Sequence, residues 1–251
     1  LKVKKEFIYI GGIIIIPLGI ILLSGGMGLN KVNSNLWGGL SLTLILTFCS
    51  AILSLPLGIF LALCRNSGPK SIKLLSGLYI DMMRAVPLIA VLFFGQLLTP
   101  LALPMGFELS RVIRAIFAFS IFLAAYIAED IRGGLQTIPY AQKEASEVLG
   151  LNKFQIIRHI ILPQALRVAL PSLTNQAIGL LQNTSLMAIL GLVELLGISR
   201  SILANPNFIG NHLEIYVWLA AVYWSICTVF ALMAKDLEKS LKPATNTNEQ
   251  K

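Results

Sequence analysis

Six predominantly apolar stretches, separated by short polar segments, run along the chain. A helix of about 20 apolar residues is long enough to cross the hydrocarbon core of a bilayer, and within lipid only helices and closed barrels satisfy their own backbone. The sequence therefore predicts an all-α, polytopic transmembrane helical bundle with about six spans. The predicted spans are 7–23, 36–63, 78–103, 112–128, 172–196 and 215–234.

The first stretch also resembles a secretory signal peptide, because lysines precede its apolar run. The junction at Ser24, Gly25 and Gly26 is not an Ala-x-Ala cleavage site and further spans follow, which favours a transmembrane helix. The sequence starts at Leu1 rather than Met. We expect it to be a fragment or to begin at a non-standard start.

One polar segment, residues 132–170, is much longer than the other loops and predicts two short helices. Pro139 suits a first helical turn, and the first helix carries an apolar stripe that ends before Gly150, a predicted C-terminal cap. Asn152 and Gln155 form a capping-box pattern for a second helix, which is predicted to stop before Pro163. Such a surface suits docking to a partner better than catalysis, although packing against the neighbouring spans is the alternative. The stripe consists of Ala141, Ala145, Val148 and Leu149.

Composition and charge agree with a membrane protein. Hydrophobic residues make up 56% of the chain and charged residues only 13%, against about 25% charged in soluble domains. This excludes an ordinary cytosolic enzyme, a disordered chain and a disulfide scaffold. Fifteen of the 20 Lys and Arg residues fall on one side of the predicted topology and four on the other. The positive-inside rule places that richer side, with both termini, in the cytoplasm, so the net charge of +8 indicates topology rather than nucleic-acid binding.

No residue pattern in the chain indicates catalysis, a cofactor or a metal. Three Cys and two His are scattered without metal-ligand spacing, and the cysteines are predicted to be buried small hydrophobes. No phosphate-binding glycine loop occurs. If transport is driven by ATP, a partner chain must supply that chemistry.

Polar side chains inside a span are costly and therefore are functional candidates. Gln176 and Asn183 are seven residues apart and share one helix face with Gly179, which predicts a polar pathway; hydrogen bonds between helices of two subunits are the alternative. The predicted pathway residues of the fifth span are Gln176, Gln182, Asn183, Thr184 and Ser185.

Two charged residues near span ends are added to this set. Glu129 and Arg132 predict a local i,i+3 ion pair, with a role in gating as the alternative. Arg84 predicts a similar pair with Asp81, and Pro87 predicts a bend just beyond it. For Glu194, contact with an external partner and simple solvation both remain open.

The long loop resembles the EAA loop of ABC importer permeases. Glu144-Ala145-Ser146 is followed after three residues by Gly150 and after nine more by Ile160-Ile161-Leu162-Pro163. The one departure is Ser146 in place of a second Ala. Four more segments, 79–88, 125–134, 162–167 and 181–186, are similar to motifs of the polar amino acid branch of this family, and the resemblance covers roughly 36–241.

The resemblance implies a type I ABC importer permease with no enzymatic activity of its own. Residues 1–35 would form an extra transmembrane helix and outer loop, 36–242 the permease domain with coupling loop 132–170, and 243–251 a disordered tail. The implied partners are a second permease subunit, two cytoplasmic ATP-binding subunits, an external amino acid-binding protein and the bilayer of the bacterial plasma membrane. The implied ATPase-coupling residues are Tyr140, Glu144, Ala145, Ser146, Gly150, Ile160, Leu162 and Pro163.

Within that branch, this chain has Asn183 where the motif has Asp, and Gln182 where it has Lys. A neutral amide wall weakens a preference for cationic substrates. We therefore expect neutral polar or acidic L-amino acids to be favoured over basic ones. A secondary amino acid transporter or channel acting without an ATPase is the alternative function.

Overall fold

The computed structural model describes residues 17–104 and 108–241, and most of them are helical. This confirms the all-α class; the described chain contains no strand, only an isolated bridge between Gly39 and Glu194. Residues 17–23 are also helical. The main helices are α1 (Gly39–Ser67), α2 (Lys70–Ala85), α3 (Leu88–Ala102), α4 (Arg111–Gln136), α5 (Tyr140–Val148), α6 (Lys153–Ile156), α7 (Leu162–Asn183), α8 (Leu195–Leu203) and α9 (His212–Leu241).

Three of the described helices, α1, α4 and α9, are long and apolar enough to cross a membrane, and α2 with α3 makes a fourth candidate. They correspond to four of the predicted spans. The predicted third span is not straight: α2 and α3 meet at 103°, and Pro87 is the residue that precedes α3. Most of the predicted first span lies outside the described residues, as does the predicted tail, so six is an approximate span count.

The predicted bounds of the fifth span, 172–196, are wrong. The helix starts earlier, because α7 begins at Leu162, and it ends at Asn183. A tight turn over Thr184–Ala188 follows, and Gly191, at φ +83°, adopts the left-handed conformation that favours glycine. The apolar sequence runs on through this turn, so hydropathy alone merges α7 with the start of α8.

Helix α4 is the centre of the fold. More than half of its membrane-crossing window is buried (56%), whereas the corresponding window of α9 is only 6% buried. Small residues bring α1 and α7 close to α4: a Cβ on Gly58 would lie 2.4 Å from the Ile127 side chain, and one on Gly134 would lie 2.4 Å from the Ala165 carbonyl oxygen. The bundle therefore packs around one helix and leaves apolar faces outward.

Two expectations about individual residues are corrected. Glu194 is neither solvated nor available for external contact: it is fully buried and caps α8, accepting hydrogen bonds from the amides of Leu196 (2.8 Å) and Gly197 (3.0 Å). The Tyr223 hydroxyl lies 3.4 Å from the same carboxylate. Cys49, Cys64 and Cys227 are free but partly exposed rather than buried.

Candidate functional site

A cavity of 460 Å³ lies where the α2–α3 elbow meets α4 and α7. Its polar lining brings together Arg84 from the last turn of α2 with Gln176 and Asn183 from α7. Gly179 lies between the two amides, and a Cβ at this glycine would enter open space. The seven-residue spacing thus places Gln176 and Asn183 on one face, and Arg84, just before the break at Pro87, lines the same cavity.

Arg84 is held at the cavity by residues of α4. Its guanidinium carbon lies 5.7 Å from the centre of the Tyr126 ring, which also lines the cavity, and its Nη1 lies 3.7 Å from Glu129 Oε1. A cation over an aromatic face is attracted to it. The local pair expected between Asp81 and Arg84 gives way to a contact between helices: Asp81 binds Arg65 of α1 at 2.9 Å.

Glu129 is the common partner of three guanidinium groups. The predicted pair with Arg132 is confirmed, with Nε 2.9 Å from Oε2, and Arg65 and Arg84 approach at 3.5 and 3.7 Å. Glu129 is not part of the cavity wall. Through these contacts Glu129 joins α1, α2 and α4.

Gln176 is oriented by a residue that the sequence reasoning missed. Its Nε2 donates a hydrogen bond to Asp130 Oδ2 at 3.1 Å, which ties α7 to α4 beside the cavity. Tyr126 was missed as well. Tyr126 and Asp130 both lie within one turn of Glu129. The helical spacing of positions 126, 129 and 130 is therefore the sequence signal that could have identified the polar face of α4.

The other three predicted pathway residues lie outside this cavity. Gln182 Nε2 is 3.8 Å from Cys227 Sγ of α9. Thr184 is fully buried and donates to the Leu181 carbonyl oxygen, and Ser185 donates to that of Gln182. The hydrogen bonds of Thr184 and Ser185 stabilise the end of α7. The sequence alone does not show that these three residues lie outside the cavity.

In the coupling loop, α5 shows a mostly exposed apolar face. Val148 and Leu149 are 87% and 79% exposed and Tyr140 is 66% exposed. Ala141, Ala145 and Glu144 are exposed too, whereas Ser146 is buried and donates to the Gln142 carbonyl oxygen. Gly150 ends the helix at φ +78°, and its amide donates to the Glu147 carbonyl oxygen.

The second half of the loop differs from its prediction. The capping box of Asn152 and Gln155 is confirmed, but the helix does not stop before Pro163. From α6 the chain continues through a π turn, Ile157–Ile161, directly into α7. Proline cannot donate a backbone hydrogen bond and its ring displaces the carbonyl four residues earlier; the wider π turn accommodates this. Ile160 and Leu162 are half-buried there, and Pro163 is exposed.

A side-chain bridge joins the two halves of the loop. Gln164 Nε2 donates to Gln142 Oε1 at 2.7 Å, linking α5 to the first turn of α7. The close approach of Gly134 to Ala165 links the same turn to α4. These contacts connect α5 to the helix that carries Gln176 and Asn183.

Residues 54–243 match the family described as binding-protein-dependent transport system inner membrane component. The chain belongs to this family. It is 38% identical over 219 residues to the inner membrane amino-acid ABC transporter permease YhdY of Escherichia coli, covering 87% of this chain and 60% of that protein. It is also 38% identical over 217 residues to BztC of Rhodobacter capsulatus, which is named a glutamate/glutamine/aspartate/asparagine transport system permease protein. That match covers 86% of this chain and 50% of BztC. The chain thus spans one half to three-fifths of these two relatives.

Solved structures show the same fold. A crystal structure of an amino acid ABC transporter with histidines matches at a TM-score of 0.70 and 29% identity, covering 80% of this chain and 92% of that one. The MetNI methionine ABC transporter in an inward-facing conformation matches at a TM-score of 0.64 and 19% identity. The match covers 81% of this chain and 92% of that one. This second likeness concerns the fold alone. Together they support a permease-type helical bundle.

Proposed function

We propose that the chain is the permease subunit of an ATP-driven importer of polar L-amino acids, favouring neutral and acidic substrates over basic ones. The observation that carries this proposal is the cavity that Arg84 lines together with two amides, Gln176 and Asn183. The family and the amino acid transporters among its similar members support the class of protein.

The chemistry of the cavity suits the proposed substrates. A guanidinium binds a carboxylate strongly and with defined geometry, and every amino acid offers one carboxylate. No acidic residue lines the cavity in the described part of the chain. A second carboxylate or an amide on the substrate can accept hydrogen bonds from the Gln176 and Asn183 amide groups. A second cation on the substrate is repelled by Arg84. The substrates for which BztC is named, two acidic and two amide amino acids, have this chemistry.

In the proposed mechanism, ATP binding and hydrolysis occur in partner subunits that grip the exposed face of α5 in helix-in-groove fashion. Glu144 and Glu147, both exposed beside that face, pair with basic residues of the partner. The residues that anchor the docking loop are Tyr140, Glu144, Ala145, Ser146, Gly150, Ile160, Leu162 and Pro163.

Transmission then follows the continuous helical run from Lys153 to Asn183. At 1.5 Å per residue this run is about 45 Å long, so it connects the docking loop to the cavity amides without a flexible joint. Rocking of this run alternates access to the cavity from the two sides of the membrane. A second permease subunit and an external amino acid-binding protein complete the assembly, in a bacterial inner membrane with both termini cytoplasmic.

Uptake competition in membrane vesicles tests the substrate preference. Uptake of labelled glutamine is measured with an excess of unlabelled glutamate, asparagine or arginine. We expect glutamate and asparagine to suppress uptake and arginine to leave it nearly unchanged, because the cavity already holds a cation. Arginine competing better than glutamate would refute the preference.

A further inference from the structure

A second cavity, of 580 Å³, lies between α3 and α4 and is closed at one side by the end of α2. Its volume is within the range of about 300–1,000 Å³ that small-molecule sites occupy. Among its described lining residues only Thr99 and Arg114 have polar side chains; Met82, Phe94 and Phe117 are typical of the rest. This cavity is distinct from the one that holds Arg84.

Arg114 lies on the wall of this cavity without a counter-ion in the described structure. Its Nε is buried and has no hydrogen-bond partner among the described residues. An arginine on a membrane-crossing helix is costly and normally is paired. Arg132, at the other end of α4, is paired with Glu129. The contrast indicates that Arg114 binds an anion that comes from outside the chain.

The apolar wall restricts what that anion is. On α4 the lining residues extend from Arg114 to Ile121, about 11 Å at 1.5 Å per residue. This is more than half the depth of one leaflet, which is about 15 Å, half of the hydrocarbon core. Arg114 is in the first turns of α4, where a long cationic side chain reaches the membrane surface while its stem stays in apolar surroundings. The cavity is thus complementary to an amphiphile, because its charged group lies near the membrane surface and its apolar wall lies deeper.

We propose that this cavity binds one anionic phospholipid, with its phosphate on Arg114 and one acyl chain along the wall formed by Phe94, Phe117 and Ile121. Arginine binds phosphate through charge-assisted hydrogen bonds, which are frequently bidentate. The lipid supplies the counter-ion that Arg114 lacks and fills the elbow between α3 and α4. It thereby stabilises the bend that places Arg84 in the first cavity.

Native mass spectrometry of the intact purified transporter tests the proposal. After detergent delipidation, the complex is titrated with phosphatidylglycerol and, separately, with phosphatidylcholine. We expect one phosphatidylglycerol to be retained per permease chain and phosphatidylcholine to bind about tenfold more weakly, which corresponds to the loss of one charge-assisted contact.

Three variants separate this site from general lipid adhesion. R114A is expected to weaken phosphatidylglycerol retention about tenfold. A90W fills the cavity from its exposed wall and is expected to lose the lipid although Arg114 is intact. R111A removes an exposed arginine one turn earlier on α4, outside the cavity, and is expected to retain the lipid.

Three results would overturn the proposal. The first is equal retention of the two lipids, and the second is full retention by A90W. The third is a disulfide between a cysteine placed at Phe117 and the second permease subunit, in a background without Cys49, Cys64 and Cys227. That crosslink would show that protein rather than lipid covers the cavity.

Discussion

Arg84 owes its position to side chains of a different helix. The Tyr126 ring and the Glu129 carboxylate of α4 hold its guanidinium at the cavity that Gln176 and Asn183 line from α7. At the scale of single residues, the proposed substrate selectivity thus rests on one cation and two amides supplied by separate elements. Disturbing any of the three is expected to affect transport more than stability.

Gly179 tests whether the cavity is the substrate site. A side chain here would project into open space between the two amides, so G179L fills the cavity without a clash in the fold. We expect uptake to fall to below about a tenth of wild type, because binding weaker by about 1.4 kcal/mol or more has this effect. The control is G19L, which also enters open space but lies outside the cavity. Unchanged uptake by G179L would place the substrate elsewhere.

Glu194 tests the role of a buried carboxylate as a helix cap. E194A removes the acceptor for the Leu196 and Gly197 amides, and loss of a cap costs about 1–2 kcal/mol. We expect the Tm of the detergent-solubilised protein to fall by roughly 5 °C, measured by thermal unfolding. E194Q keeps an acceptor oxygen and is expected to lose less. E214A, at an exposed position in the first turn of α9, is the control; an equal fall in both alanine variants would contradict the capping account.

At the scale of elements, two breaks in helical regularity shape the site. The bend at Pro87 turns α3 by 103° away from α2, and the π turn before Pro163 keeps α6 and α7 continuous. Both prolines are visible in the sequence, but proline in an apolar segment is compatible with a stop, a kink or a π turn. Only the packing around α4 decides between these outcomes.

Substitution of Gly150 tests whether the turn that ends α5 matters for coupling to the ATPase. Its φ of +78° is costly for other residues, by roughly 1–2 kcal/mol, and asparagine is better tolerated there than β-branched residues. A Cβ at this position meets open space, so any effect comes from the backbone alone. We expect G150V to lower ATP-driven uptake severalfold with normal membrane insertion, and G150N to have a smaller effect. Equal uptake in G150V and wild type would show that the geometry of this turn does not matter for coupling.

Local patterns predicted local features of the fold well. The capping box at Asn152, the pair of Glu129 with Arg132 and the shared face of Gln176 and Asn183 follow from spacings of three to seven residues. The contact of Arg65 with Asp81 and the bond of Asp130 to Gln176 join helices, and no spacing within one helix reveals them. The bounds of the fifth span were wrong because hydropathy does not record that the chain turns at Asn183.

At the scale of the whole molecule, the bundle connects two surfaces through one helix. The exposed face of α5 is bridged to α7 by Gln142 and Gln164, and α7 ends at the cavity. In the proposed mechanism, this connection converts movement at the docking loop into movement at the proposed substrate site. We therefore expect a separate ATPase to bind α5.

Co-purification of an ATPase subunit from native membranes tests that claim most directly. Wild type is compared with V148D, which places a charge on the exposed apolar face of α5, and with I209D, a control that changes another highly exposed apolar residue outside the coupling loop. We predict that wild type and I209D retain the ATPase and that V148D retains about a tenth or less, the effect of losing a central interface contact. Wild type purifying without an ATPase, or V148D retaining it in full, would contradict the account.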